Sequence, residues 1–203
     1  SLKTIYLMRH SEPFKPTNIN NSDSLQQQNE KWPLTISGEK RAEQMSRNRE
    51  LSDFDVVISS HYVRAIATAK YFTNDRVLVD ENFGERKFGV NTWEELPEDF
   101  ERKQFSDFDY HLENGESLND VIKREYRSLM EIIHQYGDKK VLIVGHATAF
   151  TALFCKWCEI DSADNYVFHG QTFFDGEWNY CETFKLEFDN DNKLISIENI
   201  KVD

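Results

Sequence analysis

The stretch "IYLMRHSEP" at residues 5–13 decides the fold class. It continues an apolar, β-prone run, Thr4–Met8, that ends abruptly at Arg9 and His10. Short runs that are apolar at nearly every position are typical of central strands in a sheet covered on both faces. Three more runs of this kind follow along the chain, at Val56–Ser59, Val77–Val79 and Val141–Val144. Together they predict the core of one sheet.

Helical patterns lie in the connections between the predicted strands. The longest, Ser117–Tyr136, begins with a serine-led capping sequence, carries an apolar stripe and stops at Gly137. The tail Glu182–Val202 instead alternates, turns at Asn190–Asn192 and alternates again, which predicts a β-hairpin. Two shorter helices are predicted over Ser37–Glu50 and Tyr62–Phe72. The sequence therefore predicts a three-layer α/β/α sandwich with a mostly parallel central sheet and a C-terminal edge hairpin.

Two polar segments interrupt these patterns. Asn18–Lys31 is predicted to be a loop. Residues 90–114 contain five aromatic residues among eight carboxylates, and this composition between two sheet elements predicts an insertion that covers part of the molecule. The chain has no internal repeat and no linker rich in Gly, Ser or Pro. We therefore expect one domain over residues 1–203, with 90–114 as a lid-like insertion.

Composition and charge argue against several function classes. The 36 acidic and 24 basic residues give a net charge of −12, which opposes binding to nucleic acid. The sequence has no run of about 18 apolar residues, so we expect no membrane span. Three cysteines are too few for a secreted disulfide framework, which favours a reduced, cytoplasmic setting. Cys155 and Cys158 have C-x-x-C spacing but no second pair to complete a zinc site, so we expect packing residues and no metal.

Polar residues follow three of the predicted strands. Arg9 and His10 follow the first strand, Arg64 lies shortly after the second, and His146 follows the fourth. In parallel α/β sheets, ligands bind beyond the carboxyl ends of the strands, so we expect these side chains to converge. Each residue taken alone has an ordinary structural explanation, and only the convergence favours a site.

Two arginines and two histidines suit phosphoryl transfer. Guanidinium groups form bidentate hydrogen bonds to phosphate oxygens, and one imidazole can attack phosphorus to form phosphohistidine. The departing alkoxide then needs a proton from a nearby carboxylic acid. The stretch "ENFGERKFG" at 81–89 supplies Glu85 for this role.

Six segments, in order, resemble the histidine phosphatase superfamily in its phosphoglycerate mutase-like branch. An Arg-His pair alone is almost worthless as evidence, but six ordered segments span most of the chain. They are "LMRHSEP" at 7–13, "PLTISGEKRAEQM" at 33–45, "VISSHYVRAIATA" at 57–69, "ERKFG" at 85–89, "NGESLNDV" at 114–121 and "VLIVGHATAF" at 141–150.

The resemblance implies a role for each residue of the expected site. His10 would be the nucleophile, and Arg9, Arg64 and His146 would complete the phosphate pocket. Glu85 would be the proton donor, because the family places a glycine four residues after this carboxylate, as Gly89 is here. Glu81 lacks that spacing.

Three more residues are candidates for contact with substrate. Ser11 stands where the family usually has glycine, and its hydroxyl either contacts the phosphate or crowds the pocket. Arg86 is either a substrate contact or a surface salt bridge. Ala147 stands where the other branch of the superfamily carries its acidic residue. Pro16 replaces the family's asparagine, which leaves the oxygen contacts of that loop open.

The resemblance implies a metal-independent phosphatase that hydrolyses phosphomonoesters through phosphohistidine and needs no cofactor. We expect a small phosphorylated substrate, and a monomer or homodimer. The alternatives are a 2,3-bisphosphoglycerate-dependent phosphoglycerate mutase and a non-catalytic scaffold that binds phosphoproteins. A Rossmann-type nucleotide site is disfavoured, because Arg-His-Ser-Glu follows the first strand in place of G-x-G-x-x-G.

Overall fold

The computed structural model describes residues 1–16 and 22–202, and this part of the chain forms nine strands and six α-helices. The strands are β1 Lys3–Arg9, β2 Val56–Ser59, β3 Leu78–Val79, β4 Val141–Gly145, β5 Glu159–Ile160, β6 Tyr166–Phe168, β7 Gln171–Phe174, β8 Thr183–Phe188 and β9 Leu194–Ile200. The helices are α1 Leu25–Lys31, α2 Ile36–Ser46, α3 Val63–Ala69, α4 Phe100–Ser106, α5 Leu118–Tyr136 and α6 Ala147–Phe154. Short 3₁₀ helices span Lys70–Phe72, Glu81–Phe83 and Trp93–Glu95.

Six strands form the central sheet in the order β3-β2-β4-β1-β8-β9. The first four are parallel to one another, whereas β8 is antiparallel to β1 and β9 is antiparallel to β8. The predicted C-terminal hairpin is therefore present, and β9 is the edge strand. Parallel β1, β2 and β4 all end at the same edge of the sheet, where Arg9, Ser59 and Gly145 close the strands.

Helices cover both faces of the sheet. On one face, Leu7 and Ile143 pack with Leu129 of α5 and Phe150 of α6. On the other face, Tyr6, Met8 and Val144 pack with residues of α2 and α3, namely Ala42, Met45, Ala65 and Ala69. Alternate side chains of one strand enter opposite cores because successive residues of a strand point to opposite faces. The three-layer α/β/α sandwich is thereby confirmed.

Helix α5 follows the prediction closely, with one exception on its buried face. Ser117 and Asp120 form a reciprocal capping box at its start, and Val121 and Leu129 lie on the apolar stripe. The exception is Glu125, which is fully buried on the same helix. Its two carboxylate oxygens have no hydrogen-bond partner within the described residues. A carboxylate in such surroundings is costly to ionise.

Two elements differ from the sequence predictions. The predicted loop Asn18–Lys31 is wrong at its end, because Leu25–Lys31 is helix α1; residues 18–21 lie outside the described residues. Ser24 and Gln27 cap this helix reciprocally. A second, antiparallel sheet of β5, β6 and β7 was not predicted, since its strands have only two to four residues.

Residues 90–114 begin and end where two backbone segments lie very close together. Gly89 has a φ of +81°, and a Cβ there would lie 2.2 Å from the Gly115 nitrogen. A Cβ on Gly115 would lie 2.3 Å from the Phe88 carbonyl oxygen. Glycine is therefore required at both ends of this segment, because a Cβ at either position would clash with the facing backbone. At Gly89 the positive φ is a second reason. Within the segment, Phe100 of α4 is 1% exposed and packs against Phe88 and Tyr110.

None of the helices in the described part of the chain is long and apolar enough to cross a membrane.

Candidate active site

His10 lies immediately beyond β1 and is 5% exposed. Its Nδ1 lies 2.7 Å from the carbonyl oxygen of Ser11. A carbonyl oxygen only accepts, so Nδ1 carries the proton and Nε2 keeps its lone pair. Nε2 in turn accepts from Nε of Arg64 at 3.3 Å. Backbone contacts hold the ring in this orientation, with an unprotonated nitrogen beside a guanidinium group.

Electrostatics keep His10 neutral. Burial, followed by the positive charges of Arg64 and Arg9, lowers the pKa of His10 well below its ordinary value of 6.5. The carbonyl of Ser11 opposes this shift but does not reverse it. The imidazole is therefore uncharged at neutral pH, which is the form that can attack phosphorus.

His146 follows β4 and lies next to His10. It is fully buried, and the centroids of the two imidazole rings are 5.1 Å apart. The Ser60 hydroxyl accepts from the Tyr62 amide and forms a hydrogen bond of 2.8 Å with His146 Nε2. Nδ1 of His146 is buried without a partner in the described chain. Burial and the charges of His10 and Arg64 lower the pKa of His146 well below 6.5.

Arg64 is held by helix α1. It lies in the first turn of α3 and is 5% exposed. Its Nη1 donates to the Asn29 carbonyl at 2.6 Å, and its Nη2 donates to the Asn29 side-chain oxygen at 3.0 Å. These two contacts fix the plane of the guanidinium group. Asn29, together with Ser60 behind His146, is a site residue that sequence reasoning missed.

Arg9 ends β1 and approaches the site from the other side. Its Nη1 donates to the Trp178 carbonyl at 2.6 Å, and the guanidinium carbon lies 4.7 Å from the centroid of the Tyr180 ring. Its Nε is buried and has no partner within residues 1–16 and 22–202. An unpartnered buried N–H on a cation is a donor available to an anion.

Glu85 lies at the N-terminus of α6. Its Oε1 accepts from the Ala149 amide at 2.9 Å, and its Oε2 accepts from the Thr148 amide at 3.2 Å. The first amides of a helix are unpaired donors, so this end of α6 holds the carboxyl group of Glu85 by both oxygens. Arg124 of α5 fixes the preceding loop by donating to the carbonyls of Asn82, Gly84 and Glu85. The structure thus brings Glu85 to the same edge as His146, at the start of the same helix.

The three further candidates have different positions. The hydroxyl of Ser11 donates to the Gly38 carbonyl at 2.7 Å, so its one proton is used within the protein, and its role toward the phosphate stays a prediction. Arg86 is 4% exposed, donates to Gln104 at 2.6 Å and forms a salt bridge with the exposed Glu101 at 3.1 Å, so it anchors residues 90–114, and its contact with substrate stays a prediction. Ala147 begins α6 and lines a cavity beside the site.

The remaining motifs have ordinary roles. His61 bonds to Glu30 of α1 at the rim of the site. Cys155 and Cys158 are free thiols, and burial raises their pKa values to about 11 and about 12, so neither is a reactive thiolate. Within the described residues no cluster of His, Cys, Asp or Glu has metal-binding geometry.

Comparison with known proteins assigns the family. The profile of the "Histidine phosphatase superfamily (branch 1)" matches residues 5–198. The chain belongs to the histidine phosphatase superfamily. Among curated members it is 29% identical over 124 residues to the "Uncharacterized phosphatase PhoE" of Bacillus subtilis, covering 60% of this chain and 62% of that protein. It is 25% identical over 138 residues to "Phosphoserine phosphatase 1" of Hydrogenobacter thermophilus, covering 63% and 65%. The chain therefore spans less than two thirds of either relative.

Solved structures of other superfamily members share the fold. A mycobacterial glucosyl-3-phosphoglycerate phosphatase in complex with inorganic phosphate superposes with a TM-score of 0.70 at 16% identity, covering 98% of both chains. A phosphoserine phosphatase mutant from Entamoeba histolytica in complex with phosphoserine gives a TM-score of 0.66 at 18% identity, covering 96% of both. The phosphoglycerate mutase-like architecture of this histidine phosphatase superfamily member is thus confirmed along nearly its whole length.

Proposed function

We propose that this histidine phosphatase superfamily member hydrolyses phosphomonoesters through a phosphohistidine intermediate. One observation carries the proposal: His10 is a buried, neutral imidazole whose unprotonated Nε2 lies 3.3 Å from Nε of Arg64. A nucleophile needs its lone pair, and a phosphoryl group needs cations beside it. Both requirements meet at this nitrogen.

In the first step, the substrate phosphate binds among Arg9, Arg64 and His146, and Nε2 of His10 attacks phosphorus. The bond between phosphorus and the ester oxygen breaks, and Glu85 gives its proton to the departing alkoxide. The attacking ring becomes cationic while its Nδ1–H still donates to the Ser11 carbonyl at 2.7 Å, which stabilises that charge.

In the second step, water attacks the phosphoryl group on His10. Glu85, now ionised, takes the proton of that water, the bond between phosphorus and nitrogen breaks, and inorganic phosphate leaves. The imidazole and the carboxylic acid return to their starting states, because the proton that Glu85 gives to the alcohol is replaced by one taken from water.

The mutase alternative has less support. A mutase binds a bisphosphate and must hold two phosphate groups in its site. Residues 90–114 carry eight carboxylates against Arg102 and Lys103, and both of these cations already pair with Asp99. The cover of the site is therefore acidic, which disfavours a second phosphate.

The decisive experiment measures phosphate release from a panel of phosphomonoesters in excess EDTA. The wild type, His10→Ala and the control His134→Ala, which changes an exposed histidine of α5, are compared. We expect the wild type and the control to be active, and His10→Ala to lose at least about a thousandfold in kcat. Wild type that is quenched during turnover in alkaline denaturant should carry a phosphoryl label that is stable to base and labile to acid. Activity that survives in His10→Ala, or that EDTA abolishes, contradicts the mechanism.

A further inference from the structure

A cavity of about 590 Å³ adjoins the candidate active site on the side of Glu85. Ala147 and Thr148, in the first turn of α6, line it, and the Thr148 amide also donates to Glu85. Trp178 lines it as well, and its carbonyl accepts from Arg9. Two wall segments are therefore shared with the catalytic centre, and the cavity lies on the side where the acid protonates the leaving group.

Four of the residues that line this cavity are aromatic. Phe105 and Phe108 come from residues 90–114, and Tyr166 and Trp178 come from the region of the small sheet. The polar atoms of the last two rings are already used within the wall: the Trp178 indole N–H donates to the Thr151 hydroxyl at 3.0 Å, and the Tyr166 hydroxyl lies 3.0 Å from the same oxygen. A ligand here meets ring faces with few free polar groups.

The charge at this cavity is negative. Asp161 and Asp164 line it and are exposed, and the residues that line it within the described chain include no Lys or Arg. Backbone amides bonded to Asp161 lower the pKa of its carboxyl, so it is ionised at neutral pH. The net charge of −12 adds to this field. A second anionic group on the substrate would be repelled here, whereas an uncharged one would not.

From these features we propose that the cavity is a leaving-group pocket for an uncharged, aromatic or aliphatic alcohol. The inference rests on the proposed function, since it names the substrate class of the same site. Its volume falls in the usual range for small-molecule sites. The preferred substrates are then aryl-alkyl or alkyl phosphomonoesters, in preference to bisphosphates and phosphorylated carboxylic acids.

The test uses benzyl phosphate and 4-carboxybenzyl phosphate, which differ by one carboxylate. We expect kcat/KM to favour benzyl phosphate by tenfold or more. Asp164→Asn, which keeps a residue tolerant of the positive φ of 63° at that position, should reduce this ratio. Equal kcat/KM values for the two esters, or a preference for the carboxylate, overturn the proposal.

A second comparison tests the ring walls. Phe105→Ala changes a side chain that is 39% exposed, and Ile195→Ala on β9 is the matched control at 40%. We expect Phe105→Ala to lower kcat/KM for benzyl phosphate about tenfold and to leave methyl phosphate, which is too small to fill the cavity, unchanged. Thermal melting checks that both variants fold. If benzyl and methyl phosphate lose equally, the cavity does not hold the leaving group.

Binding separates this proposal from the proposed function. His10→Ala is titrated with the same two benzyl esters by calorimetry. A binding preference for benzyl phosphate, without phosphate release by the wild type, supports the pocket and contradicts the phosphatase mechanism. Phosphate release by the wild type, without any preference between the two esters in binding or in rate, supports the phosphatase mechanism and contradicts the pocket.

Discussion

The two ends of the site are built differently. At the phosphate end, side chains are tied to one another: Asn29 holds Arg64, Arg64 contacts His10, and Ser60 holds His146. At the leaving-group end, ring faces surround about 590 Å³ of open volume. The phosphate is the same in every monoester, so its pocket can be tightly organised, whereas the alcohol differs from substrate to substrate.

The two ends also differ in where they come from in the chain. Most of the phosphate end follows directly from strands β1, β2 and β4, whose backbones are fixed by the sheet. Much of the leaving-group end comes from residues 90–114 and from the region of the small sheet. Residues at strand ends are held by a rigid scaffold, while connecting segments tolerate change. This division lets the chemistry stay constant while the substrate pocket is altered.

Glu85 lies at the junction of the two ends, and its substitution has the largest expected effect. Glu85→Gln removes the proposed proton donor, so kcat for alkyl phosphates should fall about 10²- to 10⁴-fold. The loss for 4-nitrophenyl phosphate should be far smaller in the first step, because that leaving group departs without a proton. Single-turnover rates of alcohol release measure this directly.

The control is Glu81→Gln, four residues earlier and exposed. It should behave as the wild type with both esters. An equal loss for the alkyl and nitrophenyl esters in Glu85→Gln would indicate that Glu85 only supports the fold of the α6 N-terminus. The role of proton donor would then pass to another group.

The sequence predicts the site residues that lie near strand ends, and it misses those that act through contacts with residues distant in the chain. His10, Arg64 and His146 were predicted because strand ends of a parallel sheet meet at one edge. Asn29 was missed because it acts on Arg64, 35 residues away, through a helix that looked like a loop. The capping pair Ser24 and Gln27 was the available signal for that helix.

Side-chain direction was not predictable from sequence. The hydroxyl of Ser11 points to the Gly38 carbonyl because α2 packs closely there: a Cβ on Gly38 would lie 2.5 Å from the Glu12 oxygen. The sequence leaves Arg86 between a substrate contact and a salt bridge, and its partners Gln104 and Glu101 belong to a segment with no recognisable pattern. Both outcomes depend on tertiary contacts that no local pattern encodes.

Asn29→Ala has the next largest expected effect and tests the phosphate end alone. Removing the Asn29 side chain deletes the hydrogen bond at 3.0 Å to Nη2 of Arg64. Hydrogen bonds to charged groups contribute about 1.5–3 kcal/mol, so kcat/KM should fall about tenfold or more. The loss should be equal for methyl, benzyl and nitrophenyl phosphate, because all share the phosphate.

Gln28→Ala, one residue earlier on α1, is the matched control, since within the described residues the Gln28 side chain bonds to the Asp23 carbonyl of its own segment. It should leave kcat/KM within about twofold. If the loss in Asn29→Ala depends on the leaving group, Asn29 also affects the leaving-group end, and the two ends do not act independently.

Glu125 has the smallest expected effect on activity, because it lies on α5 and does not line the leaving-group cavity. Its carboxyl is fully buried without a partner in the described chain, whereas Asn29 holds the buried Arg64 of the phosphate end. Burial, followed by the negative charges of Glu85, Glu116 and Asp80, raises the pKa of Glu125 well above 4.5, and Arg124 only partly opposes this. The folded protein therefore binds a proton that the unfolded chain releases above about pH 4.5.

Protons bound in excess by the folded state make the free energy of unfolding fall as pH rises. Below the unfolded pKa both states are protonated and Glu125 contributes nothing. Between the unfolded and folded pKa values the wild type should lose about 1.4 kcal/mol per pH unit relative to Glu125→Gln, which has no such proton. Urea unfolding from pH 4.5 to 8 measures the difference, with the exposed Glu131→Gln on the same helix as control. If the curves of wild type and Glu125→Gln stay parallel, the buried carboxyl has found a partner or water, and its pKa is not raised by burial.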